Sequence, residues 1–303
     1  MHRITHLLLI AISTAIFASS AVVCSNQAVA ARSVDGESRY AKLDGQRVHY
    51  ENHGKGHEAL VFVHGWTCSL NFWSRQVPAF EGKTRVIAID LPGHGLSDKP
   101  QVSYTMDLFA RAVEAVLRDA GVDRAVLVGH SMGTPVIREF YRKYPQKTLA
   151  LVIVDGPLRA FGDRKMMEQF IAPLRGPGYK EAASKFIDGM FGQNATAEMR
   201  AEIKNAMLNT PQAVAISAME GMADESIWKQ DKITVPTLAI MAKSGFLATD
   251  AEQSYRSIAP KLEYQAWEGV GHFLMMEKPG DFNEALGGFL VKNGLLKNGL
   301  LKK

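Results

Sequence analysis

The sequence predicts an α/β fold, a mostly parallel central sheet with helices on both faces and a helical segment inserted between two of its strands. Three observations carry this. Continuous apolar runs such as Leu60-Val61-Phe62-Val63 and Val86-Ile87-Ala88-Ile89 alternate with amphipathic segments, as in strands buried on both faces. The alternation stops at about residue 158 and resumes near residue 232. Between one apolar run and one helical segment stands Gly129-His130-Ser131-Met132-Gly133, a G-x-S-x-G whose neighbours are a strand and a helix.

The first 30 residues read as a leader outside the fold. Arg3 supplies a positive start, residues 7–17 are apolar, and Ala28-Val29-Ala30 is a small-residue cleavage site. Ser13, Thr14 and the Ser19-Ser20 pair interrupt the apolar stretch, which is marginal for a membrane span, so the mature chain, residues 31–303, is expected to carry no stable span. Cys24 raises a lipid-attachment alternative, but bulky Val23 precedes it. Cleavage near Ala30 would deliver the chain to a periplasm or the medium and leave Cys68 as its only cysteine. A chain of this length has a core large enough to fold without a disulfide.

Arg47-Val48-His49-Tyr50 alternates apolar and polar after the turn former Asp44-Gly45, and reads as a strand of an opening hairpin. Gly54-Lys55-Gly56 turns the chain into the strand 60–63, which runs into His64-Gly65-Trp66. A helix is expected to begin within residues 71–76 and end near Pro78. The strand 85–89 is followed by a loop dense in turn formers, residues 90–97. Residues 104–120 form an amphipathic helix, with Leu108, Phe109, Ala112, Val113, Val116 and Leu117 on one face and Gly121 as its stop. Ala125-Val126-Leu127-Val128 is the strand before Ser131, and residues 134–143 the helix after it. Residues 149–154 are another apolar strand, ending in Asp155-Gly156-Pro157.

Residues 158–232 are helical in character, with breakers at Pro173, Gly176-Pro177-Gly178 and Pro211, and are read as an inserted cap. They hold seven of the 13 methionines: Met166, Met167, Met190, Met199, Met207, Met219 and Met222. Core packing is one account of them; an adaptable apolar wall over a pocket is the other. Strands resume at residues 236–241 and 262–267. Gly269-Val270-Gly271-His272-Phe273 is a loop, residues 281–291 a closing helix, and the tail duplicates Asn293-Gly294-Leu295-Leu296-Lys297.

A serine in a sharp strand-to-helix turn has its hydroxyl pushed clear of the sheet, flanking glycines avoid clashes, and the next amide faces a developing oxyanion. With His64-Gly65-Trp66, the 90–97 loop and Gly271-His272, this motif makes the chain resemble the α/β-hydrolase superfamily over nearly all of its mature length. Within the superfamily it is most similar to lidded serine esterases and carbon–carbon bond hydrolases. The resemblance implies Ser131 as nucleophile, His272 as its base, and an oxyanion hole from the amides of Trp66 and Met132. His64 and His94 stand in loops resembling structural parts of the family, Asp90 and Ser97 brace their loop, and His130 is expected to point away from Ser131. In most of the family the third member, an acid, follows the strand that here ends at Met241, where Gly245 stands instead. Asp155, ending the preceding strand, is the preferred acid. Asp250 is the alternative, although it also reads as the N-cap of a helix starting Ala251-Glu252-Gln253.

The resemblance implies hydrolysis of a carboxylic ester of a small or apolar molecule through an acyl-enzyme. A carbon–carbon bond or lactone hydrolase with the same groups is the runner-up, and a ligand receptor of this fold a reading of another class. The superfamily's dehalogenases and epoxide hydrolases use an aspartate where Ser131 stands. The histidines and carboxylates lack metal-ligand spacing and no glycine loop for phosphate is present, so no metal or cofactor is expected. The net charge of +4 is dispersed, which argues against a nucleic-acid partner.

Overall fold

Eight strands form one sheet in the described residues, 36–160, 162–243 and 251–296 of a computed structural model. The expected leader, Cys24, Gly245, Asp250 and the end of the tail duplication lie outside them. The strands are β1 (Gly36–Leu43), β2 (Gln46–His53), β3 (Glu58–Val63), β4 (Arg85–Ile89), β5 (Arg124–His130), β6 (Thr148–Val154), β7 (Thr237–Ala242) and β8 (Leu262–Trp267), in the order β1-β2-β4-β3-β5-β6-β7-β8. The hairpin β1–β2 and the β2–β4 pair are antiparallel; every other neighbour is parallel. The α/β class expected from the apolar runs is what the chain forms. β3, β4, β5 and β6 are buried along almost their whole length, which explains why they read as continuous rather than alternating apolar segments.

The helices are α1 (Val77–Phe80), α2 (Met106–Ala120), α3 (Gly133–Lys143), α4 (Arg164–Ile171), α5 (Tyr179–Asp188), α6 (Ala197–Leu208), α7 (Gln212–Ala223), α8 (Ala251–Ile258), α9 (Leu274–Glu277) and α10 (Pro279–Lys292). α2 shows how its ends are written in the chain. The Thr105 hydroxyl accepts from the Leu108 amide and so takes up one orphan donor of the first turn, while Gly121 at φ 65° closes the last. Replacing that cap with alanine would cost about 1 kcal/mol. Phe109, Ala112, Val113, Val116 and Leu117 are buried as the periodicity requires; Leu108 is only partly so.

Prolines moved two expected boundaries. A helix was expected to run through 71–76 and stop near Pro78; the chain instead makes a 3-10 turn at Leu70–Trp73 and starts α1 at Val77, with Pro78 in its first turn. Pro279 likewise opens α10. A proline at the first helical positions gives up an amide that had no partner there, so it starts helices as readily as it stops them.

Between β6 and β7 the chain builds α4, α5, α6 and α7 before it returns to the sheet. The sheet order changes direction around β3 and β5, and the crevice outside the carboxyl ends at such a point is where an open α/β sheet receives ligands. Residues from the helical insertion and from the ends of β5 and β6 meet there.

Candidate active site

Ser131 directly follows β5 and takes φ 52°, a left-handed conformation that a residue with a side chain adopts at a cost of order 1–3 kcal/mol. Close packing holds it there. The Ser131 amide donates to Val154 O at 2.9 Å, and Ser131 O accepts from the Thr134 amide at 2.9 Å, the first link into α3. A Cβ on Gly129 would stand 2.4 Å from Gly133 O, and one on Gly133 would stand 2.5 Å from Val63 O. The two glycines of the motif therefore let the turn close on itself and on β3. Met132 sits at the N-cap of α3, where its amide is beyond the reach of any carbonyl of the helix. The loop after β3 comes up on the other side: a Cβ on Gly65 would be 3.1 Å from Ser131 Cβ, so the backbone entering Trp66 lies against the serine.

Asp155, directly after β6, is also left-handed, with φ 42°. Its amide donates to Ile240 O at 2.9 Å, and its Oδ1 accepts from the Ala242 amide at 2.8 Å. Both bonds go to β7, so the carboxylate is aimed by the sheet itself. Its other oxygen, Oδ2, lies 2.6 Å from His272 Nδ1. A carboxylate can only accept, so Nδ1 carries a proton, and in the neutral imidazole Nε2 is then the nitrogen with the lone pair. The Asp155 side chain is 3% exposed and that of His272 13%. Ser131, Asp155 and His272 line one cavity of about 110 Å³, together with Trp66, Pro157 and side chains of the insertion.

Strands β3 to β8, the elbow and the cavity over it lie within the stretch, residues 58–279, that matches the alpha/beta hydrolase fold family. The chain belongs to that family. Among curated relatives, it is 25% identical over 282 residues to the dihydrolipoyllysine-residue acetyltransferase component of the acetoin cleaving system of Cupriavidus necator, covering 82% of this chain and 67% of that protein. It is 27% identical to the 2-hydroxy-6-oxononadienedioate/2-hydroxy-6-oxononatrienedioate hydrolase of Paraburkholderia phymatum, over 80% of this chain and 91% of that one. Among solved structures it superposes on Est816, described as an N-acyl homoserine lactone degrading enzyme, with a TM-score of 0.73 and 28% identity, over 83% of this chain and all of that one.

His64, His94 and His130 of this alpha/beta hydrolase are accounted for by the loops they hold. His64 accepts from the Leu91 amide through Nε2 at 3.0 Å and donates through Nδ1 to Gly65 O at 2.8 Å; burial keeps its pKa below the usual value. Burial, with a smaller push from His64, takes His94 down to about 3, and its Nδ1 donates to Pro92 O. Asp90 accepts from the amides of Leu70 and Leu96 and from His49 Nδ1 at 2.8 Å. Burial alone would raise its pKa; the His49 bond and the two amides bring it below the ordinary carboxylate value. His130 lies behind the site. Its Nε2 donates to the carbonyl of His272 at 2.9 Å, and its ring centroid is 4.7 Å from that of His272. Burial, then repulsion from His272, holds its pKa well below the usual value, so it stays neutral and braces the loop from beneath.

The methionines of the insertion divide. Met167, Met190, Met219 and Met222 line the cavity, Met207 is buried in the core, and Met166 is exposed. Phe170, Phe186 and Trp228 line the cavity as well; the sequence reading did not single them out, although the density of large apolar residues in the insertion is the signal that would have found them. Trp66 spans both layers. Its indole Nε1 donates to Ala215 O in α7 at 2.7 Å, and its ring meets Phe186 edge-on at 5.7 Å. Among the described residues no group of histidine, cysteine and carboxylate side chains could hold a metal ion, and no helix is long and apolar enough to cross a membrane.

Proposed function

We propose that the protein is a serine hydrolase that cleaves uncharged carboxylic esters with short apolar acyl groups. The observation that carries this reading is the 2.6 Å pairing of His272 Nδ1 with Asp155 Oδ2 at a cavity that Ser131 also lines. His272 Nε2 takes the proton of the Ser131 hydroxyl as its oxygen attacks the ester carbonyl. Asp155 holds the imidazole in the tautomer that can accept and stabilises the imidazolium that forms. The oxyanion is received by the amides of Met132 and Trp66, a pair worth several kcal/mol at the transition state, to the order of ~3 kcal/mol per donor. The alcohol leaves with the proton held by His272, and water, activated by the same histidine, releases the acid.

The insertion acts in this reading as a cap. The cavity under it, about 110 Å³, is smaller than the ~150 Å³ that admits a benzene ring, which favours short acyl chains over long ones. Its lining includes no lysine or arginine among the described residues, which favours neutral esters over a substrate with carboxylates of its own, such as the dienedioates in the name of the Paraburkholderia relative. A lactone is a cyclic ester and would be opened by the same groups, a second reading favoured by the likeness to Est816. We also propose export, on the order of charge, apolar run and Ala28-Val29-Ala30 in the leader.

The test is Ser131→Ala. It should abolish labelling by a fluorophosphonate and hydrolysis of p-nitrophenyl butyrate while leaving the melting temperature near that of the parent. His272→Ala should cost about as much as Ser131→Ala, and the double variant no more, because the two act as one unit. Retention of most of the esterase rate by Ser131→Ala would overturn the proposal. Labelling without turnover on a panel of esters and lactones would point to the receptor reading instead.

A further inference from the structure

The position of His272 is set by more than Asp155. Its carbonyl is held by His130, and its amide donates at 2.8 Å to Met190 O, a carbonyl of the insertion just past α5. The amide before it, Gly271, donates to both oxygens of Glu277 at 3.1 Å. The same carboxylate reaches the insertion: Glu277 Oε1 accepts from the Gly192 amide at 3.2 Å. At this point the two backbones touch. A Cβ on Gly192 would stand 2.1 Å from Gly271 N and 2.5 Å from Glu277 Oε2, and one on Gly271 would stand 2.1 Å from Gly192 N and 2.5 Å from Met190 O. Neither glycine has a positive φ, so it is the close approach, and not the backbone conformation, that requires them.

We propose that Glu277 is a positioning residue that clamps the insertion, through Gly192, to the loop that carries His272. Four links then run between or beside the two segments: His272 N to Met190 O, Asn194 Nδ2 to Gly269 O at 2.8 Å, Gly192 N to Glu277, and Gly271 N to Glu277. The placement of His272 in the cavity that Ser131 lines and the seating of the insertion over that cavity become one mechanical event. A carboxylate serving only its own turn would accept from Gly271 alone; this one shares Oε1 between amides 6 and 85 residues away in the chain. Loss of the clamp would leave His272 tied to Asp155, His130 and Met190 O but would release Gly271 beside it and Gly192 opposite, and a misplacement of about 1 Å can cost on the order of 10²-fold in rate.

The inference rests on the reading of His272 as the base, and its test has an arm that does not. Hydrogen exchange of the full chain is followed in the segments 188–194 and 269–273 for the parent, Glu277→Ala, Glu277→Gln and Gly192→Ala, beside kcat and KM on p-nitrophenyl butyrate. Glu277→Ala should raise exchange in both segments together and lower kcat by about 10²-fold with KM changed less than about threefold. Glu277→Gln, which keeps an acceptor oxygen, should recover most of the rate. Gly192→Ala, which leaves the carboxylate in place but pushes the insertion off the loop, should reproduce the coupled exchange and the fall in kcat, and decides the matter alone if Glu277→Ala does not fold. Exchange that rises in only one of the two segments, or kcat that stays within threefold of the parent in a folded Gly192→Ala, overturns the clamp. A parent chain that neither turns over esters nor labels at Ser131 overturns the hydrolase reading, and the exchange arm still reports on the clamp.

Discussion

Asp155→Asn isolates the acid of the proposed triad with almost no change in size. The structure dictates which way the new amide faces. Oδ1 accepts from the Ala242 amide at 2.8 Å, so the asparagine oxygen must stay there; turned around, two N–H groups would oppose each other in a buried place, at a cost of about 1–3 kcal/mol. The NH₂ group therefore stands where Oδ2 stood, 2.6 Å from His272 Nδ1. Nδ1 must now accept, the imidazole proton moves to Nε2, and the nitrogen proposed to take the serine proton loses the lone pair that would do so. The same exchange in serine proteases lowers kcat by about 10⁴, or ~5.4 kcal/mol of transition-state stabilisation. Stability should change far less, because the bonds to β7 survive; losing one charge-assisted bond is worth about 1.5–3 kcal/mol at most. The assay is kcat on p-nitrophenyl butyrate with the active sites counted by a fluorophosphonate, and thermal unfolding alongside. A kcat within tenfold of the parent would refute the assignment, and a large fall in Asp250→Asn in its place would move the acid to the strand after the insertion.

The cap offers a test of acyl length. Met222→Ala enlarges the cavity and should shift preference along a series of p-nitrophenyl esters toward longer acyl chains; unchanged preference with a large drop in melting temperature would mean that the side chain serves the core. His53 on β2 supplies a dependence of stability on pH. Its Nε2 lies 3.4 Å from Glu51 and its Nδ1 3.1 Å from Glu81, and its pKa is raised, by the Glu51 carboxylate first, against the opposing effect of burial. A raised histidine pKa contributes stability that is fully present below the unfolded value of about 6.5 and is lost as pH rises through the folded value. The urea midpoint of the parent minus that of His53→Gln should therefore be larger at pH 5.5 than at pH 8.5; an equal or reversed difference would contradict the pairing. Export predicts that protein recovered from the native host begins near Ala31, and a chain that still starts at Met1 or carries lipid on Cys24 would contradict it.

The sheet was legible in the sequence because strands covered on both faces must be apolar throughout, and β3, β4, β5 and β6 are. Ser131 was legible for a different reason: a strained turn between strand and helix admits few residues beside it, so Gly129 and Gly133 announce it locally. Helix ends were harder to place where proline can act as either start or stop, as at Pro78 and Pro279.

Which carboxylate His272 meets could not be read from the chain. Asp155 and Asp250 both follow plausible strands, and a turn-forming aspartate before Gly156-Pro157 looks the same in sequence as one aimed at an imidazole. The tertiary structure puts Asp155 Oδ2 at 2.6 Å because two bonds to β7 turn the carboxylate toward a loop 117 residues further on. The cavity and the Glu277 clamp belong to the same class. The sequence by itself determined what is short-range, namely the buried strands, the capped helices and the glycine-flanked turn, since those follow from periodicity and local sterics. Only the tertiary structure decided which methionines face the cavity, which acid reaches His272 and which amides share Glu277, because each of these joins residues whose separation along the chain carries no signal of their separation in space.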